Sequence, residues 1–260
     1  MRARVRVRCL AQLLIGIVLL GAACNQSDAI RGQALERSRA VTFRTADGVR
    51  LSGRIFGPQG ASAGVILAHM LPADQSSWFD FADRLGEQGY RVLTFNFRGY
   101  CPGGDAGCSK GQKAPATAWQ DVDGARAFLL SQGPVRLVLV GASMGGTASL
   151  VSASREGEGI EGVATLSAPE SIGGLVADPE AMAVIAGAKL FMAGDQDPTG
   201  AAASAQALYD ESLQPKQLEI LTTSDHGTDL LGGNQGERAR TVLQDWLTRY
   251  LPVSDASDAP

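Results

Sequence analysis

Histidine is scarce in this sequence: 260 residues hold two, His69 and His226. Cysteine is nearly as scarce, with four residues, and Cys101 and Cys108 have no histidine or further cysteine beside them. The clustered ligands of a structural or catalytic metal site are therefore missing. Positive charge is thin once the first residues are set aside. Residues 1–23 contain four arginines and no acid, so the remainder balances 19 Lys+Arg against 27 Asp+Glu, a net of −8. No Lys/Arg-rich run survives there, which excludes a basic nucleic-acid footprint. The apolar run from Leu10 to Leu20 contains Gln12 and is shorter than the ~20 residues that span a bilayer. What is present, 45% hydrophobic and 19% charged residues, is ordinary for one globular domain with a sizeable core.

The opening "MRARVRVRCLAQLLIGIVLLGAAC" reads as an export signal: Arg2, Arg4, Arg6 and Arg8, an apolar run, then Gly21, Ala22 and Ala23. A retained membrane anchor is the alternative. "LLGAAC" resembles the lipobox of bacterial lipoproteins, with Gly21 where the leucine usually stands; that resemblance implies cleavage after Ala23 and a lipid on Cys24. Plain secretion would leave Cys24 as an odd thiol. Cys101 and Cys108, with six residues between them, form an even pair suited to a disulfide in an oxidising compartment. Residues 24–40 read as a tether or a fraying helix between membrane and domain, and 252–260 as a disordered tail.

From residue 41 to 251 short β-type runs alternate with helical ones. "AVTFRTADGVRLSGRIF" predicts a hairpin through Asp47-Gly48. "AGVILAH" (63–69), "RVLTFNF" (91–97) and "VRLVLVGA" (135–142) are aliphatic runs suited to strands buried on both faces. "IEGVATLSAP", "AKLFMAGD" and "KQLEILT" supply three more. Between them lie helices, one with Trp78, Phe81, Ala82 and Leu85 on a single stripe, and a last one near 236–251. Such alternation implies an α/β fold with a mostly parallel, doubly wound sheet.

Within this frame, Gly141-Ala142-Ser143-Met144-Gly145 is a G-x-S-x-G turn between a buried strand and a helix rich in small residues. A serine hydroxyl is a poor nucleophile until a base takes its proton and dipoles receive the oxyanion. Glycines at 141 and 145 let a strand turn sharply into a helix and lift Ser143 to the apex. For the base, His69 ends an early strand, whereas His226 follows the last one. The chain order Ser…Asp…His expected of an α/β-hydrolase sheet would place the acid between 143 and 226, where the loop "AGDQDPTG" offers Asp195 and Asp197.

These pieces resemble the α/β-hydrolase superfamily, in particular its compact dienelactone-hydrolase-like and carboxylesterase members. Beside the G-x-S-x-G turn, the matching stretches are "ILAHMLPADQSSWFDFADRLGEQGYRVLTFNFRGY", "LFMAGDQDP" and "DHGTDLL", and the likeness runs from about 41 to 251. The family's G-x-x-D at the acid loop selects Asp197 over Asp195; Glu170 is the outside choice, and Asp225 points elsewhere. The resemblance implies oxyanion donors at the N–H groups of Met144 and Leu71, with Met70 as the alternative to Leu71. Two positions depart from the pattern. His69-Met70 replaces His-Gly, which restricts the backbone beside the oxyanion site, and Asn96 replaces a generally structural aspartate.

The expected activity is a serine hydrolase of acyl compounds, carboxylic esters first, with Ser143, His226 and Asp197 as nucleophile, base and orienting acid. It calls for no metal or organic cofactor. Gly-rich "GYCPGGDAGCSKG" lacks the strand-to-helix setting of a phosphate loop. A serine peptidase or amidase with the same residues, or a non-catalytic binding lipoprotein on this fold, are the rivals. The segment between Ser167 and Lys189 is where relatives insert a cap; here it is short, so an open, shallow pocket is expected, walled by the 100–116 loop, Met70, Leu71 and Trp78.

Overall fold

The computed structural model describes residues 32–253 apart from 156 and 158. The expected export segment 1–23, Cys24 and the expected tail from 254 lie outside the described residues. Residues 32–36 are helical and Ala34 is fully buried, so the inner end of the expected tether packs on the domain. Arg37 holds it there through Asp83 (Nε–Oδ1 2.9 Å) and Glu87 (3.0 Å).

The strands are β1 (Arg39–Arg44), β2 (Arg50–Phe56), β3 (Ala63–Ala68), β4 (Arg91–Phe95), β5 (Arg136–Ala142), β6 (Ile160–Leu166), β7 (Ser171–Ile172), β8 (Leu175–Val176), β9 (Ala188–Gly194) and β10 (Lys216–Leu221). Eight of them form one sheet in the order β1-β2-β4-β3-β5-β6-β9-β10. β1 and β2 make the antiparallel hairpin whose turn holds Gly48 at φ 85°, and β2 pairs antiparallel with β4. From β4 onward every pairing within this sheet is parallel.

Parallel strands need crossovers, and helices supply them on both faces. Alternation along each strand sorts the core into two layers. On one face Ile66 and Ala68 of β3 with Leu137 and Leu139 of β5 meet α2 (Ala118–Leu130), α3 (Met144–Arg155) and α5 (Ala201–Glu211). On the other, Val65, Leu67, Val138 and Val140 meet α1 (Phe79–Glu87) and α6 (Gly236–Tyr250). α6 shows why it docks: Ala239, Val242, Leu243, Trp246 and Leu247 recur at helical spacing and all are buried. Each fully buried Val or Leu of these layers stabilises the fold by about 1.5–3 kcal/mol relative to exposure. Trp78, Phe81 and Leu85 belong to the second layer, as their stripe predicts. Among the described residues no helix is long and apolar enough to cross a membrane.

Two features differ from the pattern reading. β4 ends at Phe95 rather than 97: the Asn96 carbonyl accepts from the Ser109 hydroxyl (2.7 Å) and the Phe97 N–H donates to His69 Nε2 (3.2 Å). The segment after β6 is not bare: it contains the β7–β8 hairpin and the short helix α4 (Pro179–Val184), too brief to leave a periodic signal.

Cys101 and Cys108 are joined, closing a small loop that also carries a Gly103–Gly107 bridge. Closing so short a loop removes about 2.5 kcal/mol of unfolded-chain entropy. The double replacement Cys101→Ser, Cys108→Ser is expected to lower the urea midpoint accordingly, with little change in slope. An unchanged midpoint would mean that the neighbouring hydrogen bonds hold the loop alone.

Candidate active site

Ser143 stands between β5 and α3 with φ at 47°. Its N–H donates to Leu166 O at 2.8 Å, while its carbonyl accepts from Gly146 (2.8 Å) and Thr147 (3.1 Å). Strand thus becomes helix within one residue. A left-handed backbone costs a non-glycine residue roughly 1–2 kcal/mol, so tight packing must hold it there. A Cβ on Gly145 would fall 2.4 Å from Ala68 O, and one on Gly141 would fall 2.2 Å from Gly145 O. The two glycines therefore let β3, β5 and α3 converge under the serine. Met144 opens α3, so its N–H has no intrahelical partner and lies at the positive end of the helix dipole. Ser143 is buried apart from a small opening, and its hydroxyl makes no hydrogen bond among the described residues.

His226 follows β10, and its Nδ1 lies 2.6 Å from Asp197 Oδ2. Asp197 is buried, on the loop after β9. Its other oxygen accepts from the Thr199 N–H (2.9 Å) and the Thr199 hydroxyl (2.7 Å). Burial alone would raise this carboxyl's pKa, but the two Thr199 hydrogen bonds and His226 outweigh it and hold the pKa below the ordinary range. An ionised Asp197 keeps the imidazole proton on Nδ1 and leaves Nε2 as an acceptor. The histidine turn packs against the residue that precedes the serine: a Cβ on Gly227 would meet Met70 Sδ at 2.4 Å and Ala142 Cβ at 3.4 Å.

The rival acids go elsewhere. Asp195 is exposed. Asp225 accepts from the Thr223 hydroxyl (2.8 Å) and packs on Gly233. Glu170 is exposed, 3.5 Å from the Ser204 hydroxyl. Thr199 was not singled out from sequence, although Asp197-Pro198-Thr199 carries the signature of an Asx-turn, in which the aspartate caps the N–H two residues on.

His69 is fully buried, and burial pushes its pKa down to about 4. It is therefore neutral: Nδ1 donates to Met70 O (2.9 Å) and Nε2 accepts from the Phe97 N–H (3.2 Å). Holding the Met70 carbonyl fixes the following peptide. In a planar trans unit the Leu71 N–H points opposite to that carbonyl. The restriction expected at Met70 does not arise, because Met70 is not at positive φ. Its side chain is a packing element, with Sδ against Gly227 and 3.8 Å from the Thr228 hydroxyl.

Leu71 and Met144 line a cavity of about 130 Å³, together with Phe97, Tyr100, Pro115 and Ala118. The 100–116 loop and Leu71 are walls, as expected, but Trp78 and Met70 are not. Trp78 is wholly inside the α1 layer, and Met70 faces the histidine turn. The loop is tied down by Asn96, whose side chain accepts from the Gln75 N–H (2.9 Å) and donates to Ala106 O (2.6 Å). Asn96 is thus structural, as expected. Above the cavity the Gly173–Gly174 turn of the β7–β8 hairpin packs on Pro115 and Ala116.

A family model described as alpha/beta hydrolase fold matches residues 65–251. No curated protein matches the chain. Among solved structures, an esterase from Pyrococcus furiosus superposes with a TM-score of 0.70 at 18% identity, over 84% of this chain and 93% of that one. A dienelactone hydrolase from Anabaena variabilis gives 0.66 at 19% identity, over 82% and 98%. The esterase domain of a Rhodothermus marinus protein gives 0.65 at 23% identity, over 82% and 99%. At these identities the likeness speaks for the fold, and with a family model that spans most of its length the chain belongs to the alpha/beta hydrolase fold family.

Proposed function

We propose that this protein is a serine hydrolase that cleaves carboxylic esters through an acyl-enzyme. Ser143 attacks the acyl carbon, His226 Nε2 takes its proton, and Asp197 orients and stabilises the imidazole. The N–H groups of Met144 and Leu71 receive the developing oxyanion. His226 then protonates the leaving alcohol, and water resolves the acyl-enzyme by the same route. Two observations support this reading: the 2.6 Å Asp197–His226 contact, and a serine held at positive φ at the strand-to-helix turn. Catalytic hydrogen bonds commonly tighten only when substrate binds, which accommodates a resting Ser143 hydroxyl without one. The fixed Met70 carbonyl favours Leu71 over Met70 as the second donor. The test is labelling by a fluorophosphonate probe, lost in Ser143→Ala, followed by turnover of aryl esters beside aminoacyl anilides. Turnover of the anilides alone would favour the peptidase reading, and no labelling the binding reading.

We also propose that the chain is exported and anchored by a lipid on Cys24, facing the periplasm or cell exterior. The Cys101–Cys108 disulfide supports export, since such bonds persist in oxidising compartments. Cys24→Ser is expected to abolish incorporation of a palmitate analogue and move the protein from the membrane to the soluble fraction. Retention of both the label and the membrane location would overturn this.

A further inference from the structure

The terminal torsion of an aspartate is broad, because it joins an sp³ to an sp² carbon. One hydrogen bond from an imidazole therefore leaves the plane of the carboxylate loosely set. Asp197 has more than one. Its Oδ2 lies 2.6 Å from His226 Nδ1, while Oδ1 accepts from both the N–H (2.9 Å) and the hydroxyl (2.7 Å) of Thr199. Two donors on one oxygen fix the rotation of the group, and with it the direction in which the other oxygen faces the histidine.

The two donors have different duties. The N–H bond closes the Asx-turn, and any residue other than proline can supply it. The hydroxyl bond depends on the side chain at 199. It also brings Thr199 Oγ1 to 3.4 Å from His226 Nδ1, so that one oxygen lies beside both members of the pair. With its proton given to Asp197, that hydroxyl has only lone pairs left for Nδ1 and favours the tautomer protonated there. The base of the side chain is held as well. Gly200 follows at φ 78° with its N–H on Asp197 O (3.1 Å), and α5 begins at the next residue. A β-branched side chain adds its own stiffness at χ1. Thr199 is exposed, whereas the carboxylate it holds is buried. A substitution at 199 therefore empties no core.

We propose that Thr199 is a positioning residue of the ester-cleaving site: its hydroxyl fixes the Asp197 carboxylate and, through it, holds the His226 imidazole with its proton on Nδ1 and Nε2 open to Ser143. This rests on the esterase reading above. Thr199 takes no part in the proton transfer itself and acts through Asp197 and His226.

The experiment measures p-nitrophenyl butyrate hydrolysis by Thr199→Val, which keeps the side-chain shape and the N–H but removes the hydroxyl, and by Thr199→Ser, which returns it. In Thr199→Val kcat is expected to fall about three- to tenfold, the worth of one hydrogen bond. KM is expected to change by less than about twofold, since the effect is confined to the transition state. Thr199→Ser is expected to keep kcat within about twofold of wild type, since it retains the bond. Proton NMR supplies a readout that a merely structural role would not move. The downfield His226 Nδ1–H resonance, assigned by its loss in Asp197→Asn, is expected to shift or broaden in Thr199→Val and to stay in place in Thr199→Ser. A valine variant with wild-type kcat overturns the assignment, as does a loss carried by KM or a serine variant that loses as much as the valine one. A lowered kcat with the resonance unmoved overturns it too, because the loss then arises elsewhere in the turn. Each of these leaves Ser143-dependent turnover, and so the esterase reading, in place. A wild type that turns over no ester and takes no fluorophosphonate label overturns that reading, and the assignment with it.

Discussion

Ser143→Ala is expected to lower kcat by four to six orders of magnitude with KM little changed. Removing the nucleophile of a serine hydrolase leaves only what the oxyanion donors and substrate binding supply. That loss corresponds to roughly 5.5–8 kcal/mol of transition-state stabilisation. The same position makes a separate demand on stability. At φ 47° alanine keeps the left-handed strain that serine carries, whereas glycine does not. Ser143→Gly should therefore be as inactive as Ser143→Ala yet more stable by about 1 kcal/mol, or about 2–4 °C in Tm for a domain of this size. Steady-state kinetics on an aryl ester and thermal unfolding of both variants check the two halves. Residual activity within a hundredfold of wild type would remove Ser143 from the chemistry. A glycine variant less stable than the alanine one would show that the backbone is not strained there.

This coupling of strain to chemistry also explains what was legible in the sequence. The buried parallel strands announce themselves, because a strand covered on both faces reads as an unbroken aliphatic run, as "AGVILA" and "RLVLVGA" do. The turn at Ser143 is legible because its neighbours must be glycine for the backbones to approach. His226 follows from scarcity, with one other histidine to exclude, and Asp197 from chain order and the G-x-x-D pattern. Contacts that depend on side-chain direction in three dimensions are another matter. "RVLTFNF" reads as strand to its end, yet the Phe97 N–H is taken by the His69 ring and the Asn96 side chain by Gln75 and Ala106. Trp78 reads as core from its stripe, and its further expectation as a pocket wall fails because it packs wholly within the α1 layer. The cavity at Leu71 and Met144 has no local signature, since its elements are far apart in the chain.

Asp197→Asn should cost about four orders of magnitude in kcat while leaving the fold intact, and the reason lies in one proton. Asp197 as a carboxylate accepts from His226 Nδ1, so Nε2 has a free lone pair for the serine proton. Asparagine can instead offer its amide N–H to Nδ1. The imidazole then carries its proton on Nε2 and cannot act as a base, the effect known from an unrelated serine protease. Thr199 sharpens the contrast, because its N–H and hydroxyl both donate to the acid's other oxygen and would hold the asparagine carbonyl there. The amide nitrogen is thereby directed at the histidine. A second readout follows from linkage. The pKa of Asp197 is lowered in the fold, so its ionised form adds stability above the ordinary carboxylate range. That contribution is lost as pH falls through the lowered value. The variant lacks this titration, so the Tm gap between wild type and Asp197→Asn should be widest near neutral pH and narrow below about pH 4. A variant within tenfold of wild-type kcat would mean that His226 is oriented by something other than Asp197. A Tm gap independent of pH would mean that the carboxylate is not favoured by the fold.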